Sequence, residues 1–243
     1  MTTLNKISQP NTSGKLAEYL ILPGTILQNS RQFFEEVREG VELPPKIISL
    51  LLSSSLFLLI YGAVLGSGHP LQAVSAALKL PLVFLGGLLA CTPALYIFDI
   101  LLGSKRTLSQ TLAVLLAAIS VIAILLFSFM PIALVLRLAV DGFQFFKVLN
   151  VGFLAVAMVV GLFYLEQGLR RTSEMSNNSL LRELVYALWI LLLIFMIAQL
   201  AWSLRPFFYY PGSSFAFIVG DGGNLFKEIG LALGEFLGFS VTR

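Results

Sequence analysis

The sequence is poor in the residues that do most protein chemistry. It holds one cysteine, Cys91, and one histidine, His69, in 243 residues. A disulfide within the chain is therefore impossible. Zinc, bis-histidine haem and iron–sulfur centres need several such ligands and are not expected. A Ser–His–Asp triad has one possible histidine, in a short stretch after Gly66-Ser67-Gly68, and is not expected either. Charge is scarce too: 12% of residues are Asp, Glu, Lys or Arg, about half the usual share of a soluble domain. The net charge of +3 is dispersed, which argues against nucleic acid as a partner. Paired catalytic carboxylates, a nucleophile elbow and a phosphate loop are missing. Gly220-Asp221-Gly222-Gly223 lacks the lysine and hydroxyl that end a phosphate loop and reads as a hinge. No enzyme and no cofactor are expected. Lipid, quinone or pigment binding in apolar grooves stays open, because such ligands leave no mark in a sequence.

Hydrophobic residues make up 57% of the chain, gathered in runs close to the ~20 residues that cross a bilayer core. Five spans are predicted, over Ile47–Leu65, Leu80–Leu102, Leu112–Ile132, Val148–Leu165 and Leu184–Leu204. The fold class that follows is all-α: a polytopic helical bundle with an amphipathic helix at each end. The apolar stretch from Pro131 to Phe146 lets the third span extend or fold back. The polar character of the first 40 residues predicts no cleavable signal, so the first span would direct insertion.

Four regions are expected. Residues 1–24 form a loose leader and 25–45 an amphipathic helix; 46–204 hold the spans, and 205–243 an aromatic tail with a second amphipathic helix. In the first helix Ile26, Leu27, Phe33, Phe34, Val37 and Val41 share one side at the helical period, and Pro44-Pro45 ends it. It reads as a helix lying on the membrane surface; the competing reading packs it on a partner or on the protein's own loops. In the tail, Trp202, Arg205, Phe207, Phe208, Tyr209 and Tyr210 form an interfacial belt. Asn224 caps the last helix.

Basic residues set the orientation. With the N-terminus inside, the inner segments carry Lys6, Lys15, Arg31, Arg38, Lys46, Lys105, Arg106, Arg170, Arg171 and Arg182. The outer ones carry Lys79, Arg137, Lys147, Arg205, Lys227 and Arg243. This places the N-terminus on the cytoplasmic side and the C-terminus outside.

Ionisable residues within spans are functional candidates by default. Asp99 is the one acid inside a predicted span, a few residues from Lys105 and Arg106. Pairing with one of those cations is the plainer reading; an ion-coupling site beside the kink expected at Pro93 is the sharper one. Glu166 is placed in the same polar cluster, and Gln199 and Ser53-Ser54-Ser55 are read as interhelical hydrogen bonders. Small residues four apart, Gly86/Ala90, Gly87/Cys91, Ala113/Ala117 and Ala157/Gly161, let helices approach closely within a bundle or between copies.

Three stretches carry a family resemblance: Leu22-Pro23…Phe33-Phe34-Glu35-Glu36, Lys79-Leu80-Pro81…Pro93-Ala94-Leu95-Tyr96…Leu101-Leu102-Gly103, and Trp202-x-x-Arg205-Pro206-Phe207…Pro211-Gly212. Over residues 20–204 the chain resembles bacterial Yip1-like and related polytopic inner-membrane proteins. The resemblance implies about five spans and a role in membrane organisation or complex assembly, and it transfers no functional residue. The expected function is a non-enzymatic membrane scaffold or accessory subunit. Its expected partners are the lipid bilayer and other membrane subunits or copies of itself. The alternative is a small transporter or channel component working at Asp99.

Overall fold

The computed structural model describes residues 22–139, 143–172, 180–205, 207 and 217. All its elements are helices: α1 (residues 22–28), α2 (Ser30–Glu39), α3 (Leu43–Leu65), α4 (Pro70–Leu101), α5 (Leu108–Ala139), α6 (Phe143–Arg171) and α7 (Leu180–Ser203). Five of these, α3 to α7, are long and apolar enough to cross a membrane. Helices α3, α5 and α6 contain their predicted spans, whereas α4 and α7 start earlier than predicted and end one residue short of them, at Leu101 and Ser203. A helix of 32 residues, the length of α4 and of α5, rises about 48 Å. That exceeds a hydrocarbon core of roughly 30 Å, so both must tilt or project.

Local chemistry explains the helix ends. Asn29 accepts from the Gln32 amide and starts α2, and Gly40, at φ +77°, ends it. Pro44-Pro45 therefore does not stop the preceding helix. It occupies the first turn of α3, where the missing N–H is unneeded and φ is already helical. His69 caps α4 through Nδ1, which accepts from the Leu71 amide at 3.3 Å, and Pro70 follows. This start brings Pro81 into the interior of α4 along with Pro93. The third span extends rather than folding back: α5 runs through Pro131 to Ala139.

The spans form a row in the order α6–α5–α3–α4–α7, with α3 and α5 in close contact at its centre. The row curls until α6 and α7 face each other across a seam. One end of the bundle, called proximal here, holds the starts of α3, α5 and α7 and the ends of α4 and α6; the other is distal. At Gly62 a built Cβ would lie 2.5 Å from the Ala76 carbonyl oxygen, so the α3–α4 hairpin can close this tightly only around glycine. Gly161, on α6, similarly faces Ile122 of α5, and Gly87, on α4, faces Ile197 of α7. Two of the four small-residue pairs thus serve packing inside the bundle. Ala113 and Ala117 are fully buried too, whereas Ala90 is exposed.

Ser53, Ser54 and Ser55 bond to carbonyls one turn back in their own helix, a self-contained way to satisfy a hydroxyl in a helix. The interhelical bond comes instead from Ser120 of α5, whose hydroxyl donates to the Leu50 carbonyl of α3 at 3.2 Å.

The first amphipathic helix divides in two at Asn29. Its apolar face, Ile26, Phe33, Phe34 and Val37, is buried, and α2 rests on α5 and α6 at the proximal end. Gly168 makes the notch: a Cβ there would stand 2.7 Å from the Phe34 ring and 2.8 Å from Val114. Tyr164 donates to the Leu27 carbonyl at 3.3 Å, and Gln110 to the Arg38 carbonyl at 2.8 Å. Residues 1–21 of the loose leader, the hinge at Gly220–Gly223 and the second amphipathic helix lie outside the described residues, while residues 22–24, expected in the leader, are helical and open α1.

Candidate functional site

Asp99 stands near the end of α4, and its side chain is 1% exposed. Gly103, at φ +79°, turns the chain just after α4, and the Ser104 amide bonds back to the Asp99 carbonyl at 2.9 Å. Lys105 is left exposed while Arg106 points inward. Its Nη1 lies 3.1 Å from Asp99 Oδ2, and its Nη2 donates to the Leu169 carbonyl of α6 at 2.7 Å. The Tyr186 hydroxyl of α7 donates to Asp99 Oδ1 at 2.9 Å. One ion pair thereby ties α4, the loop after it, α6 and α7 together.

Chemically, this is a closed arrangement. The carboxylate faces a guanidinium and a hydroxyl, and no described side chain offers it a second cation. Arg106 Nε has no hydrogen-bond partner among the described residues, and the Nη1–Oδ2 contact lacks hydrogen-bond alignment. A buried pair of this kind adds little net stability. Loss of either partner costs far more, because the other charge stays desolvated.

Glu166 does not join the cluster. It is exposed and pairs with Arg170 at 3.0 Å, one turn along α6, and Arg170 also reaches Glu183 of α7 at 3.1 Å. These groups and Arg182 line a cleft of about 420 Å³ at the proximal end of the seam. Tyr186 borders this cleft and bonds to Asp99, so its ring separates the exposed charges from the buried pair. Gln199 lies half-buried on α7 and makes no side-chain hydrogen bond with a described residue, which corrects its reading as interhelical glue.

The distal end holds polar groups that the sequence did not single out. The Tyr61 hydroxyl donates to Asn150 Oδ1 at 2.8 Å, and Asn150 Nδ2 donates to the Phe146 carbonyl at 2.7 Å. Lys79, counted above as a loop cation, is completely buried on α4. Its ammonium bonds to the Phe217 carbonyl and lies 4.7 Å from the centre of that ring. Because α4 starts at Pro70, ahead of the predicted span at Leu80, Lys79 lies within the helix rather than in a loop.

Of the residues expected to anchor the chain, Phe33 and Phe34 meet edge-to-face, with centroids 5.5 Å apart, inside the bundle. Trp202 carries Arg205 over its ring at 3.8 Å, and half-buried Phe207 packs against the core. Phe208, Tyr209 and Tyr210 lie outside the described residues. At the proximal surface Glu36 has its pKa lowered, chiefly by the Lys46 ammonium bonded to it at 2.7 Å. No three His, Cys, Asp or Glu side chains converge on a metal-sized site among the described residues.

No family model, curated protein or solved structure matches the chain.

Proposed function

We propose that this chain is a non-enzymatic membrane scaffold or accessory subunit that acts through helix packing and its flanking segments. The observation that carries this reading is the Asp99–Arg106 pair. The acid that a transporter would need to titrate or bind an ion is held 3.1 Å from a guanidinium and is capped by Tyr186. That arrangement suits a clamp between helices better than a site that loads and releases cargo. Large apolar side chains on the outer faces of α6 and α7, such as Val159 at 68% and Leu191 at 62% exposure, leave surface for lipid and for the helices of a partner.

In this reading the proximal end faces the cytoplasm of a bacterial inner membrane, since Arg31, Arg38, Lys105, Arg171 and Arg182 gather there. The resemblance to Yip1-like proteins agrees with an assembly role and rests on helix-end punctuation alone. Affinity purification in mild detergent tests the proposal. A partner in fixed ratio, or a defined oligomer, is expected; a chain that always elutes as a lone monomer sinks it. The competing transporter reading predicts flux in reconstituted vesicles that Asp99→Asn abolishes. The present account predicts no such flux from the parent protein.

A further inference from the structure

At the distal end, α6 and α7 stand apart around a cavity of about 110 Å³. Tyr61 and Val83 form its floor, Leu154 of α6 and Ala201 of α7 its sides, and Phe207 one edge. Val151, on the rim, is 52% exposed, so the cavity reaches the outer surface of the bundle. It lies alongside the last turns of α3 and α7, in helices of membrane-spanning length.

Water, an empty space and membrane lipid compete for this cavity among the described residues. Water is disfavoured, since a bound water needs two to four polar partners. Here the Tyr61 hydroxyl and the Asn150 amide are directed at each other and at the Phe146 carbonyl. A void is disfavoured because its lining would lose dispersion contacts on one side. The remaining candidate comes from the membrane around the spans: a lipid chain entering past exposed Val151 into a space lined by apolar side chains.

We propose that the distal seam is an acyl-chain site, in which one hydrocarbon chain of a membrane glycerolipid lies between α6 and α7 and completes their packing. The proximal ends of these helices are already joined by Arg170 and Glu183; the lipid chain does the corresponding work at the distal end. The site is independent of the assembly role, so a complex that survives loss of the lipid leaves that role intact.

The test uses the full chain, reconstituted in dioleoyl phosphatidylcholine vesicles, re-extracted in mild detergent and weighed by native mass spectrometry. One phosphatidylcholine per chain should persist under conditions that strip surface lipid. Ala201→Phe, from the α7 side, and Leu154→Phe, from the α6 side, should each lower that retention at least fivefold with helicity and melting temperature preserved. Two fillings from different helices guard against one of them failing to fold. Leu188→Phe, at a site 57% exposed and away from the cavity, should retain the lipid. Absence of lipid on the parent chain, or equal retention in the folded filled variants, overturns the proposal. So does an isoprenoid quinone in place of glycerolipid on the chain isolated from its own membrane.

Discussion

Asp99→Asn is the sharpest perturbation of the buried clamp, because it changes charge and almost nothing else. The Asn carbonyl can still accept from Tyr186, now 2.9 Å from Asp99 Oδ1. What disappears is the negative charge 3.1 Å from Arg106 Nη1, in a pair whose side chains are each 1% exposed. The guanidinium is then left buried with the Leu169 carbonyl as its main partner. Breaking a buried pair in this way typically costs ~3–5 kcal/mol. The lower figure is appropriate, since a chain unfolded in detergent finds substitute partners. Arg106→Met should cost a similar ~3 kcal/mol by stranding the carboxylate. The double variant strands neither charge and should lie within ~1–2 kcal/mol of the parent. The cycle therefore predicts a coupling of about 4 kcal/mol, read by reversible denaturant unfolding in one detergent at one protein concentration. If the single losses instead sum to the double loss within ~0.5 kcal/mol, the limit for independent sites, the two groups are not a desolvated pair and the clamp is wrong.

Other consequences follow from the packing. Gly168→Val should force Phe34 and Val114 apart, since even a Cβ would lie 2.7 and 2.8 Å from them. Overpacking of this order costs ~1–3 kcal/mol and should free α2, read as faster proteolysis after Arg31 and Arg38 with α3 to α7 intact. The Glu36–Lys46 contact gives α2 an acid limit. Because the folded pKa is below the ordinary 4.5, its contribution is present above that value and is lost as pH falls through the folded pKa. Glu36→Gln should remove this acid-dependent loss of α2 protection in a hydrogen-exchange titration. Trp189→Phe deletes the bond from the indole to the Cys91 carbonyl, 2.9 Å long. It should cost ~0.5–1.5 kcal/mol and speed maleimide labelling of Cys91, which is 2% exposed in the parent.

The five spans were legible because their apolar runs match the thickness of a bilayer, a signal that needs no knowledge of neighbours. Their ends were less legible. Caps such as His69 and Gly40 act within a few residues, and Pro44-Pro45 reads as a break until the helix it opens is known. The pairing of Asp99 with a nearby cation was readable from their separation of seven residues. That Arg106 turns inward while Lys105 stays exposed depends on the turn at Gly103 and on the Leu169 carbonyl, which a linear pattern does not encode. Tyr186, 80 residues beyond Arg106 in sequence, carried no signal of its role, nor did the Tyr61–Asn150 bond across 89 residues. Glu166 was assigned to the Asp99 cluster because both lie at the same bundle end. The ring of Tyr186 divides that end into a buried and an exposed half, and a helical wheel of α6 alone cannot show this. The apolar stripe of α1 and α2 was correctly periodic, but its period does not say whether lipid or protein covers it. Gly168 decided that in favour of α5 and α6.

The assembly role is tested most directly by the mass of the native particle. The protein would be extracted from its own membrane in mild detergent, and its mass read by light scattering after subtraction of detergent and lipid. The account predicts a particle larger than the 26.6 kDa chain, with a second subunit or further copies in constant ratio across preparations. A protein mass equal to one chain in every detergent that preserves its helices would contradict it.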